Sequence, residues 1–226
     1  MKNVSVLPPP RAVLFDLDGT LADSAPDLAA AANLLRTARG LEPTPYEKLR
    51  AVASSGARGL IGAAFGLTPE DEGYPELHKE FLDNYQSMLA INSSLFDGIA
   101  ALLQHLQHNG LPWGIVTNKF TRFTQPLVAQ IGLHEAACVI SGDTTPHSKP
   151  HPAPLLEAAR RLSLPPEQCW YVGDDQRDIQ AGKAASMTTV VAGWGYCDNN
   201  LTPSWGADWI SASPLQLLDL IRQTVF

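Results

Sequence analysis

Two clusters of carboxylates stand out in this chain, each at the end of a short apolar run. The first is Val13-Leu14-Phe15-Asp16-Leu17-Asp18-Gly19-Thr20, where Asp16 and Asp18 are two residues apart and Gly19 lets the chain turn sharply. Side chains alternate along a strand, so the two acids share a direction while the extended geometry persists. Two such acids repel each other unless a cation or a proton is shared between them. The arrangement suits phosphoryl transfer, in which one carboxylate attacks and the other handles protons. The second cluster is Tyr171-Val172-Gly173-Asp174-Asp175-Gln176-Arg177-Asp178, an apolar run delivering acids to the expected start of a helix. Hard oxygen ligands from a few carboxylates are what magnesium prefers. The ordinary alternatives are an Asp-Gly turn for the first cluster and helix capping for the second, above all for Asp175 and Asp178.

Two further pieces accompany them. Ile115-Val116-Thr117-Asn118 ends an apolar run in a hydroxyl and an amide, and Ser148-Lys149-Pro150-His151-Pro152 holds a lysine between prolines just before a helical pattern. Thr117 could bind a phosphate oxygen, and Lys149 could offset charge on both a phosphate and Asp16. Taken singly, Thr117 reads equally well as a cap and Lys149 as a solvated loop residue. His147 and His151 invite a metal reading, but a hard magnesium site has no use for them, and they read as surface or capping residues.

These groups need elements to hold them. Short apolar runs alternate with helical patterns, which predicts an α/β fold with a parallel sheet. Strands are expected at Ala12–Asp16, Trp113–Thr117, Cys138–Ser141, Cys169–Val172, Thr188–Val191 and, as an edge, Asp208–Ile210. Helical stripes run through Ile99, Leu102, Leu103 and Leu106, and through Leu155, Leu156, Ala159 and Leu162. From about Asp23 to Ser94 the alternation stops and only helices are expected. Leu28, Ala31, Ala32 and Leu35 form one stripe there, with Pro26 in its first turn, and Leu77, Phe81, Tyr85 and Met88 form another. The expected division is therefore a catalytic core, 1–22 with 95–226, and an inserted helical cap, 23–94.

In order and content, Asp16-x-Asp18-Gly19-Thr20, Thr117, Lys149 and Gly173-Asp174-Asp175-x-x-Asp178 resemble the four signature motifs of the haloacid dehalogenase superfamily. The insertion between the first two motifs resembles the helical cap of its type I branch. The resemblance implies a Rossmann-like core with the first strand between the second and the fourth. It also implies a magnesium-dependent phosphatase with Asp16 as nucleophile and Asp18 as acid and base. Magnesium is expected on the Asp16 carboxylate, the Asp18 backbone carbonyl and Asp174, supported from behind by Asp175 and Asp178. Thr117, Asn118, Lys149 and backbone N–H groups of Leu17, Asp18 and Asn118 are expected on the transferring oxygens.

Finer features resemble phosphoglycolate phosphatases, namely Val116-Thr117-Asn118-Lys119, the Ser148–Pro152 segment, and Trp194-Gly195-Tyr196. The Ser55-Gly56-Ala57-Arg58 stretch resembles N-acetylmuramate 6-phosphate phosphatases, and Arg58 is the candidate for reading the substrate beyond its phosphate. Dehalogenases and phosphonate hydrolases lack the second aspartate and fit poorly. A phosphomutase or a catalytically silent module fits less well than a hydrolase. Two departures stand out: Ser186 occupies a position usually held by a helix-ending Gly, and Asp175 replaces a common Ser or Thr.

Composition sets the outer bounds. With 226 residues, 45% hydrophobic and 17% charged, the chain has globular composition and can bury a large core. A formal net charge of −7 with scattered basic residues argues against a nucleic-acid partner, and the small phosphorylated metabolite that the resemblance implies would have to be held by a metal and local cations against the overall field. No run approaches a membrane span or a signal peptide, and Pro8 to Pro10 read as a short extended tail. Cys138, Cys169 and Cys197 show no metal-binding spacing, and the first two sit in apolar runs as core residues. A cytoplasmic protein is expected. No oligomeric state can be read from the residues.

Overall fold

The structure is a computed structural model, and it describes residues 7–225. Its frame is a six-stranded parallel sheet built from β1 (Ala12–Phe15), β4 (Trp113–Val116), β5 (Val139–Ile140), β6 (Cys169–Gly173), β7 (Thr188–Ala192) and β8 (Trp209–Ser211), in the order β5-β4-β1-β6-β7-β8. The first strand is central, as expected. Val13 lies opposite Trp113 on one side and Trp170 on the other. Period-two alternation sends the two halves of each strand to different layers. Val13, Phe15, Trp113, Ile115, Trp170 and Val172 join one apolar cluster, while Ala12, Leu14, Val116, Cys169 and Tyr171 join the other.

Helices cover both faces. Ile99, Leu102, Leu103 and Leu106 of α5 (Ile99–His108) form a buried stripe against one face, with Leu127 of α6 (Thr121–Gln130) and Leu217 and Ile221 of α9 (Pro214–Val225). The other face takes α7 (Ala153–Leu162) and α8 (Gln176–Ala184). In α7 the buried side is Pro154, Leu155, Ala158 and Ala159, whereas Leu156 is 42% exposed. The predicted stripe was wrong at that residue, because positions one apart lie about 100° apart around a helix.

The inserted segment contributes α1 (Ala25–Thr37), α2 (Tyr46–Arg50), a 3₁₀ turn at Ala53–Ser55, α3 (Gly56–Phe65) and α4 (Tyr74–Ser87). These pack into their own apolar cluster through Leu28, Ala31, Ala32, Leu35, Leu60, Ile61, Leu77, Phe81 and Tyr85. Phe123 and Tyr196, from outside the insertion, complete that cluster. Where only helices were expected, the chain enters and leaves through two short antiparallel strands, β2 (Ala22–Asp23) and β3 (Ser94–Leu95). Strands of two residues carry no readable periodicity. Asp27 fastens the same place: its buried carboxylate accepts from the backbone N–H groups of Asn92 and Ser93 at 2.9 and 3.0 Å.

Two smaller expectations meet the structure here. Ser186 has φ of 61° and sits just past α8, where the N–H groups of Ser186 and Met187 donate to the carbonyls of Lys183 and Gly182 at 3.0 and 2.9 Å. That is a helix-ending turn favouring glycine. Cys138 and Cys169 are buried free thiols, and Cys197 is free and half-buried. Among the described residues, no helix is long and apolar enough to cross a membrane.

Candidate active site

The sheet order decides where the site lies. Because β1 sits between β4 and β6, the residues just past these strands, Asp16, Thr117 and Asp174, converge at their carboxyl ends. The ladder runs on through the first of these, since the Asp16 N–H donates to the Val172 carbonyl at 2.9 Å. Gly19, with φ of 81°, turns the chain back under Asp174, and a side chain at Gly19 or Gly195 would collide with the Asp174 carboxylate. Both glycines are thus needed for close approach.

Asp16, Asp174 and Asp178 each offer a carboxylate oxygen within 4.8 Å of the others, and all three are buried. Lys149 is the cation among them: its Nζ lies 2.8 Å from Asp16 Oδ1 and 2.7 Å from Asp178 Oδ1. It also donates to the Val116 carbonyl at 3.1 Å and the Tyr171 hydroxyl at 2.9 Å. Burial works against its charge, but Asp16 and Asp178 outweigh burial and hold it protonated. The Asp16 contact is an ion pair without the angles of a hydrogen bond, so among the described residues Asp16 Oδ1 is buried with no hydrogen-bond partner. Burial pushes the Asp16 carboxyl up to about 7 despite Lys149, and burial with the neighbouring acids raises Asp174 well above the carboxylate range.

The surplus of negative charge is what a divalent cation would relieve, and the donors fit one. Asp174 meets only neutral donors, Thr20 Oγ1 at 3.2 Å, Ser54 Oγ at 2.9 Å and the Tyr196 N–H at 3.0 Å. Asp178 is already committed through both oxygens, Oδ1 to Lys149 and Oδ2 to the Asp175 N–H at 3.0 Å. Asp174 is engaged through both oxygens as well, but by neutral donors alone, so its charge, with that of Asp16, is what a hard cation would offset. Asp178 holds Lys149 and the turn below it.

Asp175 caps α8. Its side chain accepts from the Arg177 N–H at 2.8 Å and completes a capping box with Asp178. Its second partner is the Arg177 guanidinium, through two bonds of 2.8 and 2.9 Å that hold the carboxyl below its usual value despite burial. The extra charge at this position is therefore neutralised locally.

Thr117 is buried and its Oγ1 accepts from the Lys119 N–H at 3.2 Å, leaving its O–H to donate. Asn118 braces the Lys149 loop, accepting from the Lys149 N–H and donating to its carbonyl, both at 2.9 Å. Its backbone N–H is what remains for a ligand. Asp18 receives the Ser24 hydroxyl and, unexpectedly, the buried ammonium of Lys119 at 2.8 and 2.9 Å. Burial opposes that charge, and Asp18 outweighs it.

A cavity of about 270 Å³ opens above these groups. Asp16, Asp18, Thr117, Lys119 and Lys149 line its floor, and Ser54, Arg58, Tyr74, Phe81 and Tyr85 of the inserted segment line its roof. Arg58 forms no ion pair or hydrogen bond among the described residues. Ser54, just before the Ser55–Arg58 stretch, carries no signal in the sequence that marks it as part of the site. Besides its bond to Asp174, its carbonyl accepts from Arg177 at 2.7 Å, so one turn of the insertion rests on the acidic cluster. Trp194 and Tyr196 stay outside the cavity and serve packing. Trp194 Nε1 donates to the Thr20 carbonyl at 2.9 Å, and the Tyr196 hydroxyl accepts from the N–H groups of Ser24 and Ala25 and donates to Asp23.

Strand-end acids, a buried lysine and a helical roof define a class, and the chain belongs to it: residues 10–186 match the model of the haloacid dehalogenase-like hydrolase family. Two relatives over nearly the whole length are phosphatases. The N-acetylmuramic acid 6-phosphate phosphatase of Pseudomonas putida is 43% identical over 93% of this chain and 96% of its own. The phosphoglycolate phosphatase of Xanthomonas campestris is 46% identical over 92% of this chain and 95% of its own. Among solved structures, that of a "predicted phosphoglycolate phosphatase" from Haemophilus somnus superposes with a TM-score of 0.82 at 28% identity, covering 93% of this chain and 97% of that one.

Proposed function

We propose that this chain is a magnesium-dependent phosphomonoesterase that works through a phosphorylated Asp16, with 2-phosphoglycolate as its substrate. The observation that carries the chemistry is the buried Asp16–Asp174–Asp178 cluster, with the Lys149 ammonium paired to Asp16 and Asp178. Magnesium would be held by the Asp16 carboxylate, the Asp18 backbone carbonyl and Asp174. When bound it supplies positive charge that offsets repulsion between a carboxylate and a phosphate dianion.

Asp16 attacks the phosphorus in line, and the bond to the leaving oxygen breaks. Asp18, protonated at that moment, gives its proton to the departing alkoxide. It then takes a proton from the water that hydrolyses the aspartyl phosphate. Lys149 steadies Asp16 through both steps, and the Thr117 hydroxyl with the backbone N–H groups of Leu17, Asp18 and Asn118 holds the transferring oxygens. Residues 23–94 act as a cap that excludes bulk water and reads the leaving group, with 1–22 and 95–226 as the catalytic core. The cytoplasm is the proposed location, in keeping with three free thiols.

The substrate reading rests on Arg58 at the roof and on the size of the cavity. At about 270 Å³ it falls just under the range of about 300–1,000 Å³ that encloses drug-sized ligands. A two-carbon acid fits comfortably, and an unpaired guanidinium can take a carboxylate through two parallel bonds. The second reading is N-acetylmuramate 6-phosphate, supported by the Pseudomonas relatives and by the aromatic walls Phe81, Phe120 and Phe123.

Arg58→Ala tests the first reading. It should lower kcat/KM for 2-phosphoglycolate by about 2–3 kcal/mol and change p-nitrophenyl phosphate, which lacks the carboxylate, far less. Equal losses on both would assign Arg58 to structure or phosphate binding. A wild-type preference for the amino-sugar phosphate would select the second reading.

A further inference from the structure

Tyr85 stands on α4, in the middle of an apolar stripe, and only 2% of it is exposed. Its ring packs against Phe81 and Phe123 with centroids 6.3 and 5.4 Å away. Among the described residues its buried hydroxyl has no hydrogen-bond partner. Lys119 Nζ lies 4.8 Å from the ring centroid, close enough for its charge to be felt at the phenol, without an aligned bond to the oxygen. An unpaired buried hydroxyl is unfavourable, and such groups are rare without a reason. Phenylalanine would fill the same space without that penalty.

Both side chains line the cavity, Tyr85 from the roof and Lys119 from the floor beside Asp18. Asp18 is the group that must face the leaving oxygen. Whatever substituent is carried on the carbon next to that oxygen therefore enters the space between Asp18, Lys119 and Tyr85. There it meets one ammonium and one free O–H, both donors. A bare alkyl group would leave the hydroxyl unpaired, whereas an oxygen acceptor would satisfy it.

We infer that the Tyr85 hydroxyl and the Lys119 ammonium form a subsite for an anionic oxygen substituent on the carbon adjacent to the scissile ester oxygen. This selects phosphate esters of short 2-hydroxy acids. The inference rests on the 2-phosphoglycolate reading and adds a second recognition point to Arg58. An oxygen of the carboxylate that Arg58 grips has a second lone pair, and that lone pair is the one Tyr85 and Lys119 would meet. Tyr85 is thus a specificity residue.

Ethyl phosphate provides the comparison, since it keeps both carbons of 2-phosphoglycolate and lacks only the carboxylate oxygens. Tyr85→Phe should raise the melting temperature of the free protein by about 2 °C, because an unsatisfied buried group is removed. It should lower kcat/KM for 2-phosphoglycolate about tenfold, chiefly through KM, and alter ethyl phosphate by less than about twofold. Glycolate, the product acid, should protect wild type against heat and lose that effect in the variant. A wild type that hydrolyses both substrates equally overturns the subsite together with the substrate reading. A preference that survives Tyr85→Phe in full overturns the subsite alone. Equal losses on both substrates with a lower melting temperature would assign Tyr85 to packing.

Discussion

The floor and the roof of the cavity treat their polar groups in opposite ways. On the floor, Lys149 alone touches Asp16, Asp178, Tyr171 and the Val116 carbonyl, and Asp178 is held through both oxygens. The roof is largely aromatic and aliphatic, and its two conspicuous polar groups, Arg58 and the Tyr85 hydroxyl, make no hydrogen bond among the described residues. A network this dense, in which even Asp16 Oδ1, without a hydrogen bond, is held by its ion pair to Lys149, fixes geometry before substrate arrives, which suits a reaction whose charges develop at the same atoms for every phosphate ester. Unpaired groups gain their partners only from a ligand, which suits discrimination. Ser54 is the exception, a roof residue bonded into the floor at Asp174.

This contrast can be broken most severely at Lys149. Lys149→Met leaves Asp16 and Asp178 buried without their cation, so turnover should fall to background. Stability should also drop by about 3 kcal/mol, the lower end for a broken buried pair because Asp16 can take up a proton. Urea unfolding and a kinetic assay check both. Arg58→Ala, by contrast, should leave the unfolding midpoint in place, and a comparable loss of stability there would erase the distinction.

The metal prediction is next in size. At about a hundred times its Kd, magnesium should stabilise the protein by about 2.7 kcal/mol, and Asp174→Asn should remove most of that gain. Calcium accepts more oxygen ligands in looser arrangements, so it should stabilise without supporting turnover, since a carboxylate held through both oxygens has no free attacking atom. Equal rates with both ions would contradict the floor as described.

The smallest effect lies behind the floor, at the end of α8. Ser186→Gly relieves a left-handed backbone position and should stabilise by about 1 kcal/mol, read from the urea midpoint, with kinetics unchanged. A loss of stability would mean that the serine side chain contributes more than its φ angle costs.

The floor was largely legible in the sequence because strand, turn and acid are neighbours along the chain. Asp16 to Thr20 and Gly173 to Asp178 each carry their chemistry within a few residues, and the strands fell within two residues of expectation at either end. The roof was much less so. Tyr85 read as one more position in an apolar stripe, because an unpaired hydroxyl is a property of packing between α4 and the loop after β4. Lys119 was visible as part of a motif, but its bond to Asp18 spans 101 positions, and that of Ser54 to Asp174 spans 120. Asp175 read as added charge near a metal, while its partner Arg177 stood only two residues on. Plain helix capping was the local alternative, and the structure has it, together with a bidentate arginine that the sequence reading did not include.

The claim that the floor runs the chemistry turns on one covalent bond. Wild-type protein mixed with magnesium and phosphorus-labelled 2-phosphoglycolate, then quenched in acid within a turnover, should carry label that survives acid and is released by base. Peptide mapping should place it on Asp16. The Asp16→Asn protein, folded as wild type, should carry none and should turn over at background. Label on another residue, or appreciable turnover by Asp16→Asn, would contradict the account.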